Sequence, residues 1–203
     1  MRIAIDLNDV VRDYSVNFLR YYIEGYNHDF DLENFEFWSR DMKAVFPFSS
    51  DQSYYNFIYN DYAYELYGKC GTCDKDVQPK LNEWHEVMLN DLDVDEPIDV
   101  LFVATREYGL SIGNTYFFIS KLGTKVREVR MPKDSSEVWG YCDVLITADP
   151  DLLACKPEGK KSVKIRSEYN HDADADYTYP TLVSFLSDIN NTIKMIGHGE
   201  SQQ

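Results

Sequence analysis

Five short apolar runs, each bounded by charged or turn-forming residues, punctuate the chain: residues 2–7 (RIAIDL), 98–105 (IDVLFVAT), 125–131 (KVREVRM), 143–148 (DVLITA) and 162–166 (SVKIR). Runs of this length with apolar side chains on neighbouring positions predict strands buried on both faces. Helix-length segments lie between the later runs: 108–122 closed by Gly123, 135–141, a short turn at 151–155, and a last helix from Tyr179 to about Met195 that stops at Gly197. Strands alternating with helices predict an α/β fold, a Rossmann-like, doubly wound parallel sheet of five strands.

The connection from the first run to the second is far longer than the dozen or so residues that a parallel crossover needs. Its apolar positions have helical spacing: Tyr14, Phe18, Tyr21 and Tyr22; then Tyr55, Ile58, Tyr59, Tyr62 and Leu66 before Gly68; then Leu81, Trp84 and Met88. Composition shifts in the same place, because the 16 Tyr and 11 Phe of the chain are densest between Tyr14 and Trp84, where apolar β-branched residues are scarce. The expected organisation is a core domain of residues 1–13 plus 93–203 with a helical cap inserted at 14–92. Helical spacing puts Tyr55, Tyr59 and Tyr62 on one inward face, leaving a few tyrosines to line a cleft. The acidic stretch 171–176 (HDADAD) reads as a solvated loop.

Charge narrows the partners. Lys plus Arg number 20 against 35 Asp plus Glu, a formal net charge of −15. A nucleic-acid polymer or an anionic membrane surface needs a basic face, so both are unexpected, while a local anion pocket is compatible with the balance. No apolar run is long enough to span a membrane, and residues 1–9 lack a signal-peptide pattern, so the expected location is cytoplasmic. Cys70, Cys73, Cys142 and Cys155 are too dispersed for a disulfide framework and read as thiols; Cys70 and Cys73 alone make a poor zinc site.

Ligands of a parallel sheet bind outside the carboxyl ends of its strands. Those ends carry Asp6, Asn8, Asp9 and Asp13 after the first run, Thr105 and Arg106 after the second, Lys133 before the third helix, and Thr147, Ala148, Asp149 and Asp151 after the fourth run. A carboxylate, a hydroxyl and two cations drawn from separate strands suit phosphoryl chemistry. Arg106 can grip an anion or form a surface ion pair with Glu107 or Asp9.

The motifs IAIDLNDVV, LFVATR, MPKDSSEVWGYCDVLITADPDLL and KPEGKKSVKIRSEYN, in that order, resemble the haloacid dehalogenase-like superfamily, and within it capped phosphatases of the 5'(3')-deoxyribonucleotidase type. The resemblance covers both ends of the chain but not the cap. It implies that Asp6 is the nucleophile that forms an aspartyl phosphate, that Thr105 and Lys133 hold the phosphate with Arg106 beside them, and that Asp6, the backbone carbonyl of Asn8, and Asp149 make a weak Mg²⁺ site. Two positions depart from the family. The general acid and base is an aspartate there, whereas Asn8 carries an amide that cannot exchange a proton. The adjacent acidic pair after the fourth strand is replaced by Thr147 and Ala148, so Asp149 reaches the metal position only if the turn bends back. The preferred reading is a protein that binds a small phosphorylated ligand with weak or no turnover. The alternatives are an active Mg²⁺-dependent phosphomonoesterase working through Asp6 and an interaction protein using the aromatic cap.

Overall fold

The computed structural model describes residues 1–33, 35–90, 98–189 and 191–192. Six parallel strands form one sheet: β1 (Arg2–Asp6), β2 (Asp99–Val103), β3 (Glu128–Arg130), β4 (Val144–Thr147), β5 (Lys161–Ile165) and β6 (Tyr177–Tyr179), in the order β3-β2-β1-β4-β5-β6. The strand order reverses at β1, so the crevice between the carboxyl ends of β1, β2 and β4 is the switch point at which such sheets bind ligands.

The sheet has six strands where five were expected. β6 lies at the edge, spans three residues and alternates half-buried with exposed positions, so it leaves no continuous apolar run. Asp176 prepares it: its carboxylate accepts the Ser162 backbone N–H at 2.7 Å and two hydrogen bonds from Lys156, tying the acidic loop to β5. The final helix therefore does not start at Tyr179. Helix α7 (Leu182–Ser187) is started by Thr181, whose hydroxyl accepts the Ser184 N–H while the Ser184 hydroxyl accepts the Thr181 N–H, a capping box with serine in place of the usual Glu or Gln. The expected stop at Gly197 lies outside the described residues.

Strand alternation sorts side chains to two covered faces. Ile3, Ile5, Phe102, Ile146, Val163 and Ile165 pack with Val77, Leu81, Trp84 and Met88 of α4 (Val77–Asn90), Phe118 and Leu122 of α5 (Leu110–Leu122), and Phe185 of α7. Ala4, Leu101, Val103 and Leu145 face Val138 and Trp139 of a 3-10 turn (Ser135–Gly140) and Leu152 of α6 (Pro150–Ala154). Each large apolar side chain buried this way contributes about 1.5–3 kcal/mol against the entropy of ordering the chain.

A second cluster is mostly aromatic. Tyr14, Phe18 and Tyr22 of α1 (Tyr14–Gly25) pack on Phe37, Met42 of α2 (Met42–Val45), Phe46 and Phe57. After α3 (Asp51–Asn56) the chain winds through two π-helical segments, Phe57–Asp61 and Tyr64–Lys69. The wider winding, with the Tyr62 N–H bonded to the Phe57 carbonyl five residues back, rotates the face expected from a 3.6-residue period. Ile58 and Leu66 are buried as the spacing expects and Tyr59 and Tyr62 pack half-buried against the cluster, but Phe57 and Tyr67 are buried beside them and Tyr55 is 46% exposed. α4 belongs to the sheet's core, so the aromatic layer draws on residues before it. The expected boundary at 92–93 falls outside the described residues.

Candidate functional site

Asp6 ends β1 opposite Val103 and is fully buried. Its Oδ2 accepts the Thr147 hydroxyl at 2.8 Å, while Oδ1 has no hydrogen-bond partner among the described residues. Burial pushes the Asp6 carboxyl above the usual carboxylate range, a rise that Arg40 and the Thr147 hydrogen bond offset in part. The Asp149 N–H donates to the Thr147 hydroxyl at 3.0 Å, and Asp149 Oδ1 accepts the Asp151 N–H at 2.9 Å, capping α6.

Arg40 joins these groups. Its Nη2 donates to Thr105 Oγ1 at 3.1 Å and to Asp6 Oδ2 at 3.4 Å, and its Nη1 is in ion-pair contact with the buried carboxylate of Asp149. The arginine side chain is 7% exposed. It is carried by the segment between Phe37 and Met42, both buried in the aromatic cluster, with Asp41 capping α2 directly after it. Sequence reasoning missed Arg40, because no strand or periodic helix contains it. The available signal is that it stands as the sole Lys or Arg between Arg20 and Lys43, in a stretch rich in acids and rings.

Asn8 is buried beside a second arginine. Its Oδ1 accepts from Arg12 Nε at 2.9 Å and from Nη2 at 2.6 Å, and the fully buried Arg12 also donates to Glu107 Oε1 at 2.7 Å, Thr115 Oγ1 at 2.7 Å and the Tyr67 carbonyl at 3.0 Å. The Asn8 side chain is thus held by Arg12. Asp9, at φ 58°, accepts from the Ser15 N–H and hydroxyl and from the Tyr169 hydroxyl at 2.8 Å. Among the described residues Arg106 is the other non-glycine residue with positive φ, at 65°; both follow strand ends, where such strain gathers at working sites.

Arg106 and Lys133 do not touch Asp6. Arg106 is exposed and makes a 3.4 Å ion pair with Asp151, neither of the partners expected for it. Together with Lys133 it lines a pocket of about 710 Å³ whose other walls include Tyr55, Tyr59, Tyr108, Gln52, Asn56 and Asn60. Tyr55 and Tyr59 stand with near-parallel rings (10°), and Tyr108 meets Tyr59 edge-on. Glu107 also borders the pocket, but its carboxylate is buried against Arg12, so the open charges are cationic. Next to it is a cavity of about 40 Å³, bordered by Asn8, Arg40 and Thr105. Tyr59 and Arg106 border both spaces and are tied by a 2.7 Å hydrogen bond from the Tyr59 hydroxyl to the Arg106 carbonyl. A larger hollow of about 830 Å³ includes Glu36, Asp151, Glu168 and Asp172 in its walls and no Lys or Arg, which suits an anion poorly.

The residues do not fit Mg²⁺ in this arrangement. Asp149 has one carboxylate oxygen on the cap of α6 and the other on Arg40, and among the described residues no three His, Cys, Asp or Glu side chains gather as a metal site. No helix of the described residues is long and apolar enough to cross a membrane. All four cysteines are free. No protein-family model matches the chain, and no curated protein matches it.

Proposed function

We propose that this chain is a haloacid dehalogenase-like, Rossmann-like protein, with the aromatic layer after β1 as its cap, that binds a small phosphorylated ligand carrying a ring and turns it over weakly or not at all. The observation that carries the reading is a pair of neighbouring spaces that share Tyr59 and Arg106 as walls: one with two cations and stacked tyrosines, the other bordered by Thr105 and Arg40. In a chain of net charge −15, a pocket lined by Lys133 and by Arg106, which shares its charge with Asp151 at the surface, favours an anionic group. The amides of Gln52, Asn56 and Asn60 and the faces of Tyr55 and Tyr59 offer hydrogen bonds and stacking to a nucleotide-like ring.

Chemistry is limited by the proton. Attack of Asp6 on phosphorus expels an alkoxide, which needs a general acid, and Asn8 supplies none while Arg12 holds its oxygen. Loss of a general acid or base typically lowers rate by about 10²–10⁴. One observation favours the second reading, an active phosphomonoesterase: Asp6 Oδ1 is buried and unpaired, as an oxygen kept for a substrate would be. The test is aryl phosphate hydrolysis by the wild type and Asp6→Asn, alongside thermal shift with the same ester. Stabilisation by the ester with little release of phosphate is expected. Efficient release that disappears in Asp6→Asn would make the protein an enzyme, and neither binding nor release would remove the phosphate reading.

A further inference from the structure

Asp6 and Asp149 are both fully buried, come from adjacent strand ends, and reach the same guanidinium. We propose that Arg40 is the resident cation of this site, holding the two carboxylates in place of a divalent metal, so that Arg40 and Mg²⁺ exclude one another. Two buried carboxylates without a counter-charge would be costly, and a buried charge persists only when paired. Arg40 supplies that charge, with a nitrogen on each carboxylate. Its fork engages three groups of the site together, Asp6 and Thr105 through one nitrogen and Asp149 through the other. Mg²⁺ demands near-octahedral oxygen coordination at about 2.0–2.1 Å, and the guanidinium already occupies both acids, one nitrogen on each. Asp6 Oδ1, buried and unpaired, is an oxygen that a metal could claim once the arginine is gone.

The placement of Arg40 is built into the fold, since the residues on either side of it, Phe37 and Met42, are anchored in the aromatic cluster. The proposal does not depend on a phosphorylated ligand: it concerns the cation alone.

The experiment titrates MgCl₂ into the full chain by calorimetry in mildly alkaline buffer, with melting curves in Mg²⁺ and in EDTA. Wild type is expected to bind Mg²⁺ weakly and to melt at the same temperature in both. Arg40→Ala is expected to bind Mg²⁺ at least about tenfold more tightly, a change of roughly 1.4 kcal/mol, and adding Asp149→Asn should abolish the gain. If Arg40→Ala folds only with Mg²⁺, that rescue supports the proposal. If it does not fold at all, Arg40→Gln, which keeps a donor for Thr105, carries the same titration. Wild type binding Mg²⁺ as tightly as the variants, or variants that gain nothing, would overturn it. A parallel titration with inorganic phosphate separates the two ideas, because loss of phosphate binding would remove the functional reading and leave the Mg²⁺ result untouched.

Discussion

Replacing Asp6 by asparagine should make the protein more stable at neutral pH. The carboxylate is fully buried, one oxygen accepts from Thr147 and weakly from Arg40, and the other has no partner. An unsatisfied buried polar group costs about 1–3 kcal/mol, more when charged. Asparagine keeps an oxygen for the Thr147 hydroxyl and removes the charge, while Arg40 keeps Asp149 as its counter-ion. Against this stand the lost contact to Arg40 and an amide NH₂ that inherits the unpaired place, so the net gain is about 1–2 kcal/mol. In a chain of this size that raises the melting temperature by about 2–8 °C. The pH dependence carries a sign. Burial raises the folded-state pKa of Asp6 above its ordinary value of 3.8, so the wild type has its full Asp6 contribution below that value and loses it as pH rises through the folded-state pKa. The advantage of Asp6→Asn is therefore greatest at neutral pH and shrinks toward zero in acid. Thermal melts of both proteins over a neutral-to-acid series measure this. A variant less stable than wild type at neutral pH, or a gain that grows in acid, would refute the reasoning.

Three further outcomes follow from the same contacts. Arg12→Met leaves the buried carboxylate of Glu107 without its cation and should cost about 3–5 kcal/mol in urea denaturation, of which Glu107→Gln in the same background should recover about 1–3 kcal/mol. Asn8→Asp should raise aryl phosphate turnover by less than about tenfold, or about 1.4 kcal/mol, because Arg12 would hold the new carboxylate as an ion pair. Tyr55→Ala should weaken an aryl phosphate and the parent phenol alike in equilibrium titrations, because it removes only a ring face.

How much of this was legible in the sequence depended on what kind of signal each element leaves. β1, β2 and β4 are covered on both faces, so they wrote themselves as unbroken apolar runs, and Asp6, Thr105 and Thr147 followed from their ends. β6 is an edge strand held by Asp176, a side-chain-to-backbone contact that leaves no hydrophobic pattern. Of the expected tyrosine face Tyr59 and Tyr62 pack on the aromatic cluster while Tyr55 does not, because Phe57–Asp61 winds with a period other than the one assumed. Arg40 reaches Asp6 and Thr105 across 34 and 65 residues of chain from an aperiodic segment, and local spacing carries no information about such contacts. Lys133 and Arg106 were legible as cations near the strand ends, but their place in the tyrosine-lined pocket rather than against Asp6 is set by loop geometry.

The most direct test of the central claim is calorimetric titration of the wild-type protein with a nucleoside monophosphate and with the matching nucleoside. The account predicts that the phosphate ester binds at least about tenfold more tightly than the nucleoside, a preference of roughly 1.4 kcal/mol. It also predicts that Lys133→Ala and Thr105→Val erase the preference, and that the ester is recovered largely intact from the cell. Equal affinity for ester and nucleoside, or a preference indifferent to Lys133 and Thr105, would contradict it.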